Sequence, residues 1–151
     1  MKNRFLLLLL LFTVSLCASA QNNPTKPALN HIAVYVKDLN ISTRFYQYII
    51  GLDTIPEPFH DGRHTWFSIG LKSHLHLIQG AATITPHDKN SHTCFTVASV
   101  PAFIEILDKN HIPYENWAGD KQQVTTRVDG VKQIYFTDPD GYWIEINDAK
   151  E

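Results

Sequence analysis

Four residues could share one metal ion: His31, His76, His92 and Glu145. Three imidazoles and a carboxylate form a nitrogen-rich donor set. It suits Zn²⁺ or Ni²⁺ best, and Fe²⁺ as an alternative, but not Ca²⁺ or Mg²⁺, which prefer shells of oxygen. Taken singly, each is an ordinary polar residue on a strand. Their placement relative to one another sets them apart. The chain repeats itself faintly. With the halves in register, His31 and His92 share a position in the first strand, and His76 and Glu145 share a region of the last. The intervals are 45 and 53 residues, and a longer loop in the second half absorbs the difference.

The elements that must position these residues follow from hydrophobic period. A strand over 29–37 (Leu-Asn-His-Ile-Ala-Val-Tyr-Val-Lys) points Ile32, Val34 and Val36 one way and His31, Ala33 and Tyr35 the other. Asp38 or Asn40 can cap a helix running to about Ile50, with Ile41, Phe45 and Ile49 as its buried stripe and Gly51 to end it. A short edge strand over 52–58, interrupted by Pro56, precedes a strand pair over 64–70 and 73–80. A polar connector covers 81–90.

Then the pattern returns. A strand over 91–98 leads to a helix capped by Ser99, with Pro101 in its first turn and Phe103, Ile106 and Leu107 on its apolar face. A short strand over 112–117 and a loop over 118–123 precede the last pair, 131–137 and 142–147. That pair is joined by Asp138-Pro139-Asp140-Gly141, which is turn chemistry: Pro139 presets its own φ and Gly141 tolerates a positive one. Each half reads βαβββ, so the fold class is α+β. One domain spans 29–148, with module one at 29–80 and module two at 91–148.

Facing is consistent. His31 lies opposite Ile32 and Val34, His76 opposite Leu75 and Leu77, His92 opposite Phe95 and Val97, and Glu145 opposite Ile144 and Ile146. With helices covering one side of the sheet, all four enter the other side. The same side carries the expected substrate pocket: Tyr35, Trp66, His74, Ile78, Cys94, Tyr135 and Trp143. These give aromatic walls and few charges, suited to a small, partly apolar ligand that chelates metal through oxygen. His74 reads as surface, with a place beside the metal as the alternative. Cys94 reads as a small buried residue. His60, His64, His87 and His111 read as surface. Arg63 and Arg127 are candidates to face an anionic group, and the 118–123 loop is a candidate cover for the cleft.

Bulk properties narrow the class. The 151 residues carry a formal charge of −2 with mixed signs, which argues against a nucleic-acid partner. Residues 1–20 read as a secretory signal. Lys2 and Arg4 form a basic start, Phe5 to Leu16 an apolar run too short to span a membrane, and Ala18-Ser19-Ala20 a cleavage site. The expected mature chain is secreted or periplasmic, not membrane-bound. It starts at Gln21 with a flexible leader over 21–28 and keeps one cysteine, Cys94, so it has no internal disulfide. Lipidation at Cys17 is the less favoured reading, because Leu16 is large for the position before a lipidated cysteine.

Three stretches carry a family resemblance. They are Leu-Asn-His-Ile-Ala-Val-Tyr-Val-Lys-Asp-Leu from Leu29, Phe45-Tyr46 ahead of Gly51-Leu52, and Phe136-Thr137-Asp138-Pro139-Asp140-Gly141 leading to Ile144-Glu145. The chain resembles the vicinal oxygen chelate superfamily: glyoxalase I, bleomycin-resistance proteins, extradiol dioxygenases, fosfomycin-resistance enzymes and methylmalonyl-CoA epimerase. The resemblance implies paired βαβββ modules in a curled mixed sheet, with a metal-binding cleft and ligands on the first and last strand of each module. His31, His76, His92 and Glu145 would fill all four positions. The departure is His76, where glyoxalase I usually has a carboxylate that doubles as a proton shuttle. Only Glu145 is left for that part unless His76 takes it.

The implied activity is that of a glyoxalase I-like lyase or isomerase, moving a proton through Glu145 on a small oxygen-chelating substrate. An Fe(II) extradiol-type dioxygenase using His31, His92 and Glu145 is the first alternative. A non-catalytic metal or small-molecule binding protein is the second. Glutathione use, the substrate, the metal and the assembly of the site within one chain or across a homodimer stay open. One expected outcome concerns export: N-terminal sequencing of the protein recovered outside the cytoplasm should begin at Gln21, and a chain still carrying residues 1–20 would remove the signal reading.

Overall fold

The computed structural model describes residues 26–150. The expected signal, 1–20, and most of the 21–28 leader lie outside the described residues.

Module one runs β1 (His31–Val36), α1 (Leu39–Phe45), a π-helical turn (Tyr46–Ile50), β2 (Thr54–Ile55), β3 (His64–Ser68) and β4 (His74–Gln79). Module two runs β5 (His92–Thr96), α2 (Val100–Lys109), β6 (Thr125–Thr126), β7 (Lys132–Thr137) and β8 (Trp143–Asn147). Each builds a four-stranded mixed sheet, β1-β4-β3-β2 and β5-β8-β7-β6, with the first strand at one edge and parallel to the last. The parallel pair requires a crossover, and in each module the helix supplies it.

Pairing register is the same in both modules. His31 pairs with His74 and Ala33 with His76, while His92 pairs with Trp143 and Cys94 with Glu145. On the next strand Trp66 pairs with His76 and Tyr135 with Glu145. A slip of one residue would turn every side chain to the opposite face. The apolar alternates prevent that, because Leu75, Leu77, Ile144 and Ile146 are fully buried on the helix side.

The helix-covered faces of both sheets meet in one core. Val34, Val36, Phe45, Tyr46 and Phe67 of module one belong to the same cluster as Phe103, Leu107, Ile134 and Phe136 of module two. Phe136 lies between Phe45, 6.3 Å away, and Phe103, 6.0 Å away. The opposite faces are open along their edge strands: His31, Ala33 and Tyr35 on β1, and Cys94 and Thr96 on β5, are exposed, while His76 and Glu145 on the inner strands are buried. Among the described residues no helix is long and apolar enough to cross a membrane.

The turn from Asp138 to Gly141 clasps the modules together. Asp140 accepts the Lys37 backbone N–H at 2.7 Å and the Ser42 hydroxyl at 2.5 Å. Asp138 accepts the Tyr46 hydroxyl at 2.8 Å and also binds the N–H groups of Asp140 and Tyr142 in its own turn. Both carboxylates are buried. Burial raises the pKa of Asp138, and its hydrogen bonds only partly offset that.

Several elements differ from the periodic reading. The first helix tightens at Asp38, whose side chain accepts the Ile41 N–H, and ends at Gly51 with φ +85°, but its last five residues form a π-helical turn. Ile41 is exposed, because the buried stripe is Leu39, Ser42, Phe45, Tyr46 and Ile49; Ser42 is inside because Asp140 takes its hydroxyl. In α2, Ile106 is likewise partly exposed, and Val100 joins Phe103 and Leu107. The strand expected over 112–117 reduces to bridges at Glu115, and β6 forms farther along at Thr125–Thr126.

Gly141 and Gly51 both have positive φ, +90° and +85°. A side chain at Gly51 would meet open space, whereas a Cβ at Gly141 would lie 2.7 Å from the Thr85 carbonyl oxygen. Urea denaturation should therefore show Gly51→Ala costing about 1–2 kcal/mol and Gly141→Ala at least about 1 kcal/mol more, since a backbone clash adds to the same conformational strain.

Candidate metal centre

The open face of module one forms a cleft of about 490 Å³ lined by His31, Phe59, His64, Trp66, His74 and His76, with Ile78 behind them. β4 is the inner strand here, so the ring of His76 lies between its neighbours. The His31 ring stacks on it at 4.2 Å with an interplanar angle of 8°, and the Trp66 ring at 3.9 Å and 2°. His76 is buried, and among the described residues its Nε2 has no hydrogen-bond partner. Burial first, then the imidazoles of His31, His74 and His64, lower its pKa to about 4. The ring is therefore neutral at pH 7, with an idle buried nitrogen. That is the state a metal ligand needs.

The open face of module two holds His92 and Glu145. The His92 Nδ1–H donates to the Lys89 carbonyl at 2.7 Å, which leaves the lone pair on Nε2. That nitrogen faces Glu145 Oε2 at 3.1 Å. Two acceptors at this distance need a cation between them, a proton or a metal ion. Glu145 is held at both oxygens: Tyr135 donates its hydroxyl to Oε2 at 2.7 Å, and Asn147 Nδ2 and Cys94 Sγ donate to Oε1 at 2.9 and 3.3 Å. Burial works to raise the pKa of Glu145, but these hydrogen bonds, with His92 alongside, outweigh it and hold the carboxyl below its ordinary value. Burial, then Glu145, push the Cys94 thiol up to about 12 and the Tyr135 hydroxyl well above its usual range, so both stay protonated donors.

The donor set fits a nitrogen-preferring divalent metal on these observations: an orphaned imidazole nitrogen in one module and a lone pair facing a carboxylate in the other. The two pairs stay apart within one chain. Among the described residues no three His, Cys, Asp or Glu side chains are close enough to hold one ion.

The pocket residues named from the sequence divide in the same way. Trp66, His74 and Ile78 line the module-one cleft, and His74, read as surface, belongs to its wall. Cys94 and Tyr135 stand beside Glu145. Cys94 is exposed as a residue because β5 is an edge strand, although its Sγ is part-buried against Glu145. Tyr35 is half-exposed, with its ring over Gly80 and the connector. Trp143 turns to the connector too, donating its indole N–H to the His87 carbonyl at 2.9 Å.

Two histidines read as surface are partly covered: His64 lines the cleft, and His87 stacks on Tyr142 at 3.9 Å. Arg127 pairs with Asp129, and Arg63 donates to the Gln79 carbonyl. The loop over 118–123 is pinned through Lys121 to Glu115, on the module-two side.

Sequence reasoning missed Lys89, Glu115, Gln133 and Asn147. Buried Glu115 pairs with both Lys89 and Lys121, and those lysines outweigh burial and hold its carboxyl below the usual value. Lys89 Nζ also lies 4.8 Å from the Trp143 ring. Nothing in local pattern points to these contacts. Only the alternation of Gln133 and Asn147 with buried aliphatic neighbours hinted at their side of the sheet. Removing Glu115 would leave Lys89 with its charge under cover, so Glu115→Ala should cost about 3 kcal/mol or more in urea denaturation. Lys121 is mostly exposed, and Lys121→Ala should cost about 1 kcal/mol or less.

Comparison with known proteins accounts for this architecture. The family model of the Glyoxalase/Bleomycin resistance protein/Dioxygenase superfamily matches residues 28–146. The chain is 26% identical over 133 residues to the metallothiol transferase FosB of Staphylococcus epidermidis, covering 80% of each. It is 24% identical over 163 residues to the lactoylglutathione lyase of Pseudomonas putida, covering 85% of this chain and 90% of that one. Among solved structures it is similar in fold to the oxidase ChaP-H2, with a TM-score of 0.67 and 24% identity over 82% of this chain and 94% of that one. With its two βαβββ modules, matching registers and a family match across nearly the whole described domain, the chain belongs to the glyoxalase/bleomycin resistance protein/dioxygenase superfamily.

Proposed function

We propose that this protein is an exported, metal-dependent enzyme that moves a proton on a small oxygen-chelating substrate, in the manner of a glyoxalase I-like lyase or isomerase. The observation that carries the reading is Glu145: a buried carboxylate with both oxygens oriented by donors, facing His92 Nε2 at 3.1 Å. Similarity to a lactoylglutathione lyase and a metallothiol transferase supports the class of chemistry.

His31, His76, His92 and Glu145 would hold the ion, with zinc or nickel favoured by the imidazole-rich set. A divalent metal there supplies Lewis acidity toward two neighbouring substrate oxygens, which acidifies the adjacent C–H. The rest falls to the chain. Glu145 takes the proton and returns it. Tyr135 and Asn147 aim its oxygens, and the Lys89 carbonyl keeps the His92 lone pair forward. His76 is shut between the rings of His31 and Trp66, which leaves Glu145 as the anionic group of the four to receive the proton. One base on one face would remove and return the proton on the same side of the substrate.

The open faces of β1 and β5 and the separation of the two pairs favour a homodimer. In it His31 and His76 of one copy would meet the His92 and Glu145 of the other. A two-fold axis would then create two equal sites.

Two experiments test these points. Elemental analysis of the exported protein should find about one equivalent of zinc or nickel per chain, largely lost in His76→Ala. Iron surviving that variant would instead support a two-His, one-carboxylate dioxygenase. Glu145→Gln should abolish deuterium exchange at the carbon beside the carbonyl of a hydroxyketone such as dihydroxyacetone by about 10³-fold, while metal affinity falls far less. Equal losses in exchange and affinity would remove the base role. For the assembly, mixing a His31→Ala/His76→Ala variant with a His92→Ala/Glu145→Gln variant should restore tight metal binding that neither has alone.

A further inference from the structure

The two halves of the candidate centre are not equally prepared, and the difference lies in ring geometry. An imidazole lone pair lies in the plane of its ring. The His31 and His76 rings are stacked, with centroids 4.2 Å apart and planes within 8° of parallel. Two parallel planes share no point, so an ion lying in the plane of one ring is out of the plane of the other. This pair cannot chelate as it stands, and one ring must swing. His76 is the fixed member, buried and covered on its other side by Trp66 at 3.9 Å. His31 is exposed on an edge strand, and among the described residues its side chain hydrogen-bonds to neighbouring Asn30 at 2.7 Å.

Module two differs on every count. His92 Nε2 and Glu145 Oε2 lie 3.1 Å apart, a span that suits two donors sharing one ion at bonds of about 2.0–2.2 Å. The tautomer of His92 is set by the Lys89 carbonyl, and Lys89 is itself tied by its ammonium to Glu115 and to the carbonyls of Asn116 and Trp117. Glu145 is held by Tyr135, which accepts from Gln133 at 2.6 Å, and by Asn147, which accepts from Thr96 at 2.7 Å. These side chains need not reorganise to meet an ion.

From this contrast between stacked imidazoles on β1 and β4, of which His76 has an unpaired nitrogen, and a braced donor pair on β5 and β8, we infer that the metal site is filled in order. The His92–Glu145 pair captures the ion, and the module-one histidines close on it afterwards, with His31 as the swinging ligand. Tyr135 and Lys89 are then positioning residues of the capturing half. The inference rests on the metal-site reading above and adds an order to it.

The test is a titration of the metal-free protein with Co²⁺ alone, followed by calorimetry and visible absorption, with stopped-flow mixing for the order of events. Wild type should bind in two kinetic phases: a fast one proportional to Co²⁺ concentration and a slower one independent of it. His31→Ala should keep saturable binding at about 10–100-fold lower affinity and lose the slow phase. His92→Ala should lose saturable binding altogether. Tyr135→Phe should weaken the fast phase about 10-fold or more and leave the rate of the slow one unchanged.

Equal losses in His31→Ala and His92→Ala, or a larger loss in His31→Ala, would overturn the order. Circular dichroism of each metal-free variant checks folding, and His92→Phe, which keeps the ring volume without a ligating nitrogen, replaces His92→Ala if the latter does not fold. Wild type that binds no Co²⁺ would overturn the metal-site reading itself, which separates that failure from a failure of the order.

Discussion

The placement of the two modules depends on the turn at Asp138 and Asp140. Two buried carboxylates of module two satisfy the backbone N–H of Lys37 and the hydroxyls of Ser42 and Tyr46 in module one. Leaving any of these donors unpaired under cover would cost on the order of 1–3 kcal/mol, so the modules have a strong preference for one relative placement. That placement turns both helix-covered faces inward on Phe45, Phe103 and Phe136 and turns both polar faces outward. The burial-raised pKa of Asp138 fits a carboxylate kept for specificity of placement as much as for stability.

The outward faces carry the candidate ligands because the apolar alternates of each strand are used up in the core. Once Leu75, Leu77, Ile144 and Ile146 are inside, His76 and Glu145 have only the other face to occupy. Equal registers in the two sheets then give each module one first-strand imidazole, one last-strand donor and one aromatic on the neighbouring strand. The aromatic differs in effect. Trp66 stacks on His76 and offers its oxygen-free ring, whereas Tyr135 donates a hydroxyl to Glu145. A duplicated frame thus holds two unlike half-sites: a stack of neutral rings and a hydrogen-bonded carboxylate.

Placing His76 where a carboxylate is usual in glyoxalase I has an electrostatic logic visible in its surroundings. His31, His74 and His64 stand nearby, and burial with these neighbours keeps His76 neutral. The neutral ring can give a lone pair to a cation but brings no negative charge of its own. In the proposed reaction Glu145 is the group that moves the proton, and the bracing by Tyr135, Asn147 and the Lys89–Glu115 pair is concentrated on that side.

Period alone was enough to read the helices and the strands of both modules except β6, the strand faces and the helix caps at Asp38 and Ser99, because alternation and capping are local physics. Laying the halves in register was enough to match His31 with His92 and His76 with Glu145, and the pairing registers follow the same correspondence. Local pattern had no access to contacts made across the chain. Ser42 is buried and Ile41 exposed because Asp140, 98 residues beyond Ser42, claims the serine hydroxyl. Lys89 and Glu115 come together across 26 residues, and Tyr35 and Trp143 leave the expected pocket because the connector draws them to Gly80 and His87. Which residues could hold a metal was therefore a property of strand period and residue type. Which of them stand ready to do so, and that one chain keeps the two pairs apart, was decided by how the sheets pack, since only packing determines which open face meets which.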